Sequence, residues 1–111
     1  MANGNITQLI SPLIPISTSQ TGTEGAYNRI GKVIVFYAKC VKPNASYTMF
    51  YLPAPKGLNG SPTNAASLGS LLSDDGLSVG MPLIITGAGQ VQLRTGTFTE
   101  PKYIFGAYIA E

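Results

Sequence analysis

Nine consecutive positions, "VIVFYAKCV" (33–41), carry a single charged side chain, Lys39. Successive side chains of a β-strand point to opposite faces, and here both faces are apolar: Val33, Val35 and Tyr37 on one, Ile34, Phe36, Ala38 and Cys40 on the other. The β-branched and aromatic residues favour an extended pleated backbone. The stretch therefore predicts a main strand covered on both sides. One cover is the core of the domain, and the other is a second sheet or a symmetry mate. Which set of side chains faces which remains open at the level of sequence.

The preceding "GAYNRIGK" (25–32) reads as the entry to this strand, with Gly31 letting the chain bend or bulge. Downstream, "KPNAS" (42–46) predicts a turn and "YTMFYLP" (47–53) the returning strand of a hairpin. Residues 53–78 hold three prolines and four glycines among many Ser and Asn, and are expected to form one long loop, a length at which loops are usually functional or mobile. Strands resume at "GMPLIIT" (80–86), turn at "GAG" (87–89) and continue in "QVQLR" (90–94). There Val91 and Leu93 alternate with Gln90, Gln92 and Arg94, which marks a strand with one wet face. After a turn at "GTFTEP" (96–101), "KYIFGAYIA" (102–110) is a last aromatic strand.

Upstream, Ile6, Leu9, Ile10, Leu13 and Ile14 have helical spacing, but Pro12 and Pro15 break any helix there. An extended arm with at most one helical turn before Ser11 is expected, followed by a polar linker over 17–26. The predicted organisation is an arm and linker over 1–24 and one all-β domain over 25–111, an antiparallel sandwich or barrel. At 111 residues the chain holds one such core.

Only 11% of the residues are charged, against roughly 25% in an average globular protein, so the surface is undercharged for a monomer. Five of the seven Lys and Arg (Arg29, Lys32, Lys39, Lys42, Lys56) are spread over one region with no run or Arg pair, a poor track for phosphates. Nucleic acid is not an expected partner. Cys40 is the only cysteine, so no intrachain disulfide and no thiolate zinc site can form, and it reads as a small buried hydrophobe. The N-terminal "MANGNITQLISPLIPIS" lacks the basic start and apolar centre of a signal peptide, and no stretch reaches the ~20 apolar residues of a membrane span. Synthesis in a cytoplasm without membrane insertion is expected, and the sequons at Asn5 and Asn44 carry little weight.

The motifs that would carry catalysis fail on context. "GLSVG" (76–80) matches a nucleophile elbow with Ser78 in the nucleophile place, but the elbow belongs to a strand-to-helix turn and its serine needs a histidine, of which the chain has none. "GAYNRIGK" puts five residues rather than four between its glycines, and Val33 follows where a phosphate-binding loop needs Ser or Thr. Asp74 and Asp75 are too few ligands for a calcium or magnesium cage and fit a turn. Other carboxylate pairs lie far apart in sequence. No cofactor or metal, and no enzymatic activity, is expected. What remains is surface binding by tyrosines, amides and a polar loop, the residue types that a sugar-binding surface uses, since ring faces stack and hydroxyls take polar contacts.

"GAYNRIGKVIVFYAKC" followed by "MFYLPAPKGLNGSP" resembles the C-terminal head domains of bacteriophage and prophage tail-fibre and baseplate receptor-binding proteins. The resemblance rests on Tyr27, Arg29, Ile30, Gly31, Lys32, Val33 and Ile34 at the start of the main strand, and on Leu52-Pro53 before a loop rich in Pro and Gly. "GAGQVQL" and the terminal "YIFGAYIAE" extend it over residues 25–110. It implies an antiparallel β-sandwich or barrel head, assembled as a homotrimer on a virion, that adsorbs the particle to a host-surface saccharide or protein and joins other tail or baseplate proteins. Binding loops vary with host in that group, so it fixes no receptor contact. The residue types favour Asn59, Asn64, Asp74, Asp75 and Arg94 for receptor contact, with Tyr103 as a stacking ring. The alternative is a structural virion subunit, in a baseplate, decoration or fibre-joining role, to which the proline-broken arm at 6–16 points.

Overall fold

The computed structural model describes residues 12–72 and 78–111. Among them are eight strands and no helix: β1 (Ile14–Pro15), β2 (Glu24–Ile30), β3 (Val33–Cys40), β4 (Thr48–Tyr51), β5 (Ala65–Leu72), β6 (Ser78–Thr86), β7 (Gln90–Leu93) and β8 (Lys102–Ile109). Hydrogen bonding runs in the order β1-β2-β3-β8-β5-β6-β7-β4, antiparallel throughout. Among the described residues the link between β8 and β5 is the single pair Leu72↔Tyr103. There the array folds over, and β1-β2-β3-β8 packs as one four-stranded sheet against β5-β6-β7-β4 as the other. The far edges meet where the Tyr51 amide donates to the Ser17 carbonyl at 2.8 Å. The expected all-β sandwich is what the chain forms.

Parity along the strands builds the core. Phe36, Ala38, Cys40 and Ile104 from the first sheet meet Met49, Phe50, Leu83, Ile85, Val91 and Leu93 from the second. Gly106 leaves room for the Phe36 ring, which a Cβ at that position would meet at 2.9 Å. The ring in turn stands edge-on to Tyr108 at 6.2 Å, and the Tyr108 hydroxyl donates to the Pro53 carbonyl at 2.5 Å. Burial pushes the Tyr108 phenol well above its usual range.

Several local expectations need correction. Residues 25–32 are not the entry to one long strand: the chain reverses at Gly31-Lys32, pairing Ile30 with Val33. Gly31 supplies the positive φ, +61°, that a two-residue hairpin demands. The hairpin expected between 33–41 and 47–53 does not form, because β2 and β8 occupy both edges of β3. Residues 41–47 instead carry the chain to the other sheet, where β4 pairs with β7. The expected loop over 53–78 contains β5. Its Ala, Ser and Gly have low strand propensity, and pairing with β6 overrides it, with register shifts either side of Gly69. The strand expected after the 17–26 linker begins earlier, at Glu24.

The described part of the arm lies against the domain itself. Ile14 and Pro15 pair with Tyr27 and Ala26, and Ile16 is buried in the core. Thr18 donates from Oγ1 to the Met49 carbonyl at 2.7 Å. The buried Thr23 accepts at Oγ1 from the Val41 amide at 3.2 Å, so the polar loop is pinned at both ends.

Cys40 is 1% exposed among apolar neighbours, and desolvation pushes its thiol from 9.0 to about 12. Thiolate is the reactive form, so that rise lowers its population about a thousandfold at a given pH. An aromatic disulfide reagent at mildly alkaline pH is expected to leave the folded protein unmodified and to titrate one thiol once urea unfolds it. Rapid labelling of the folded chain would mean that Cys40 is not buried as described.

Candidate functional site

With Ile34, Phe36, Ala38 and Cys40 committed to the core, the odd positions of β3 project outward. Val35 and Tyr37 are 43% and 46% exposed. The open question of which set faces which is thereby answered: Phe36, Ala38 and Cys40 point inward, and Val33, Val35, Tyr37 and Lys39 form the outer face. Antiparallel register sets Val33 opposite Ile109, Val35 opposite Ala107, Tyr37 opposite Phe105 and Lys39 opposite Tyr103. On the other flank Ile30 stands opposite Val33 and Glu24 opposite Lys39. Leu13 has the parity of Pro15, which pairs with Ala26 in the Tyr37 row. Of the seven exposed large apolar side chains among the described residues, six belong to this face: Leu13, Ile30, Val35, Tyr37, Phe105 and Ile109. The seventh is Tyr51.

The face has two unlike ends. Towards the β2–β3 turn it is mainly aliphatic, with Ile30, Val33, Val35, Ala107 and Ile109 around Asn28, which pairs with Val35. Towards the start of β2 it opens into a groove of about 390 Å³ bounded by Glu24, Tyr37, Lys39, Tyr103 and Phe105. The groove also touches Gly25 and Ala38, and because the Ala38 side chain is buried in the core, Ala38 offers backbone there. Three rings on adjacent strands give apolar faces for stacking. A carboxylate acceptor, an ammonium donor and a phenol that does both stand beside them. The carboxylate and ammonium cancel, so the groove has no net charge to select an ionic ligand.

A second groove, of about 360 Å³, lies between the 18–23 loop and residues 41–47 and includes Gln20, Thr21, Lys42 and Tyr47. Its Tyr47 hydroxyl is already spent on the Lys42 carbonyl. Among the described residues no group of three His, Cys, Asp or Glu could hold a metal ion.

The residues singled out in sequence do not form one cluster. Asn59 and Asn64 are exposed in the loop before β5, at the end of the sandwich that carries the β6–β7 turn: the Asn64 carbonyl accepts from the Gly87 amide at 2.9 Å, and its Nδ2 donates to the Leu58 carbonyl at 3.4 Å. Arg94 is exposed just beyond β7, at the opposite end, where β8 begins. Tyr103 borders the groove. Asp74 and Asp75 lie outside the described residues. Sequence reading missed Glu24, Tyr37, Lys39 and Phe105. The signal for Tyr37 was present in the second apolar parity of β3.

Comparison with protein-family models, with curated proteins and with solved structures finds no match to this chain.

Proposed function

We propose that the chain is a non-enzymatic head domain of a virion, which adsorbs the particle to a host cell by holding a surface saccharide or protein in the Tyr37–Tyr103–Phe105 groove. The observation that carries this reading is the groove itself: three rings beside one carboxylate and one ammonium, with no net charge, on a rigid sheet face. Ring faces stack on the C–H faces of a sugar, and the flanking polar groups exchange hydrogen bonds with its hydroxyls. The resemblance of residues 25–110 to phage tail-fibre and baseplate heads supports the same reading and adds assembly as a homotrimer, joined to other tail or baseplate proteins.

Fluorescently labelled protein is expected to bind intact cells of some bacterial strains saturably and to ignore others. At about 0.5–1.5 kcal/mol per stacked ring, Tyr37→Ala with Phe105→Ala should weaken that binding about tenfold or more. Asn59→Ala with Asn64→Ala, at the other end of the sandwich, should leave it unchanged. The reverse pattern would move the receptor site to the loop before β5. If no strain in a broad panel binds the parent protein, the host-adsorption reading fails.

The alternative, a structural virion subunit without receptor contact, draws on the aliphatic end of the face, where Ile30, Val33, Val35 and Ile109 outnumber the single amide of Asn28. It predicts that particles assemble only when that end is intact and adsorb normally when the groove residues are replaced.

A further inference from the structure

The groove bounded by Glu24, Tyr37, Lys39, Tyr103 and Phe105 carries two opposite charges that do not meet. We infer that it holds a zwitterionic group of the phosphocholine type, a quaternary ammonium joined by a two-carbon link to a phosphate, with the ammonium on the rings beside Glu24 and the phosphate at Lys39. The inference deepens the adsorption reading proposed above: it rests on that reading for where the group is displayed, on a host cell, and names the part of the receptor that the groove takes.

Register places the charges. Glu24 on β2, Lys39 on β3 and Tyr103 on β8 stand opposite one another in one row, and Tyr37 and Phe105 form the next row of the same face. Opposite charges directly across a ladder ordinarily attract one another. Yet neither the Glu24 carboxylate nor the Lys39 ammonium makes an ion pair or a hydrogen bond to another side chain among the described residues. The Tyr37 and Tyr103 hydroxyls are likewise unspent there, whereas those of Tyr47 and Tyr108 donate to backbone carbonyls. With no net charge the groove gives little to a ligand of one sign. A ligand carrying both signs is different, because the two charges arise on neighbouring strands spaced about 4.8 Å apart, a distance that a two-carbon link spans.

The rings select the kind of ammonium. Among the described residues the one cation over a ring is Lys102, 5.4 Å from the Phe98 centroid, and the one ring pair is Phe36 with Tyr108, so the faces of Tyr37, Tyr103 and Phe105 are not taken up within the chain. A cation is drawn to such faces by the ring quadrupole. A quaternary ammonium suits them best, since it has no N–H that stacking would leave without an acceptor. At the other pole the Lys39 ammonium and the Tyr103 hydroxyl donate to phosphate oxygens. A plain hexose uses the rings but brings no charge to Glu24 or Lys39. The size agrees: about 390 Å³ lies at the small end of the ~300–1,000 Å³ of ligand pockets, right for one headgroup.

Titration of isotope-labelled protein with phosphocholine, followed by amide chemical shifts, tests this. Saturable shifts centred on Gly25, Ala38 and their groove neighbours are expected, with a dissociation constant on the order of millimolar. Choline alone should bind several-fold more weakly at the same amides, and neither glucose nor inorganic phosphate should match phosphocholine. Tyr37→Ala should weaken phosphocholine and choline alike, roughly two- to fivefold, and Glu24→Gln should do the same in direction. Lys39→Met should weaken phosphocholine and leave choline unchanged, a split that loss of structure would not produce. The inference is overturned by a parent with no saturable shift, by shifts confined to the groove between 18–23 and 41–47, or by a Lys39→Met variant that weakens both ligands equally. Phosphatidylcholine vesicles separate the sources of the group: co-sedimentation assigns it to a lipid, and free phosphocholine bound without co-sedimentation assigns it to a glycan. Cells separate the two readings. Phosphocholine held in the groove of a protein that adsorbs to no strain keeps the inference and removes adsorption, whereas groove-dependent adsorption that phosphocholine does not displace keeps adsorption and removes the inference.

Discussion

Replacing Phe50 by alanine is expected to cost about 3–5 kcal/mol, most of the stability of a domain this size. Phe50 is wholly buried on β4 and belongs to the cluster that joins the two sheets. β4 is short, four residues, yet contributes two adjacent core side chains, Met49 and Phe50. Strict alternation would send one of them to solvent. The register shift between Thr48 and Phe50 in the pairing with β7 is what lets both turn inward. Deleting the ring leaves a cavity at the centre of the sandwich, which two sheets linked at both edges cannot collapse to fill. The unfolding free energy from urea titration should fall by about 3–5 kcal/mol, whereas Tyr51→Ala, at an exposed position one residue on, should move it by less than about 1 kcal/mol. A Phe50→Ala midpoint close to that of the parent would mean that β4 is not seated in the core.

The contrast between β4 and β3 shows what the sequence makes legible. β3 reads directly, because the first five of its eight residues, Val33 to Tyr37, are β-branched or aromatic at both parities and no turn former interrupts the strand. β6, β7 and β8 read almost as well, since apolar alternation and the "GAG" turn lie within one local window. What a local window does not hold is the pairing partner. The hairpin expected between β3 and β4 is a reasonable reading of "KPNAS", and it fails because β8, more than sixty residues further on, takes the free edge of β3. β5 fails for the opposite reason: "AASLGSLL" carries little intrinsic preference, and the strand exists because β6 offers it a template.

The candidate site follows the same logic. Tyr37 and Phe105 become a pair only through the β3–β8 register, and Glu24 joins them only because β2 folds back at Gly31. Each is unremarked in its own segment. Tyr103 was recoverable as an aromatic near a strand start, but the amides of the long loop were not discriminated from ordinary turn formers, and the structure sends Asn59 and Asn64 to the far end of the sandwich. The doubly apolar strand was the informative clue. Its even positions account for the core, and the odd positions account for the outer face and its groove.

Gly25 ties that site to the fold, and Gly25→Ala is expected to damage both. Gly25 pairs with Ala38, and a Cβ built on it would stand 2.2 Å from the Tyr37 carbonyl oxygen and 2.7 Å from the Ala38 Cα. Both obstacles are backbone, so no rotamer change relieves them, and β2 must part from β3. Opening that ladder also strains the bond from the Ile16 amide to the Gly25 carbonyl, 3.1 Å, which holds β1 and the buried Ile16. Overpacking against fixed neighbours costs typically 1–3 kcal/mol, and here the upper end of about 3 kcal/mol is expected, because the neighbours are main chain. Gly106→Ala is the informative comparison: its Cβ would meet the rim of the Phe36 ring at 2.9 Å, which the ring can relieve by tilting, so a smaller loss is expected. Because Gly25 and Ala38 lie within the groove, separating β2 from β3 also carries Glu24 away from Lys39. Gly25→Ala protein that remains folded in the cold should therefore bind cells more weakly than the parent, while Gly106→Ala should bind as the parent does. A Gly25→Ala unfolding free energy within about 0.5 kcal/mol of the parent, the spread of ordinary surface substitutions, would show that β2 and β3 are not in the close contact on which the groove depends.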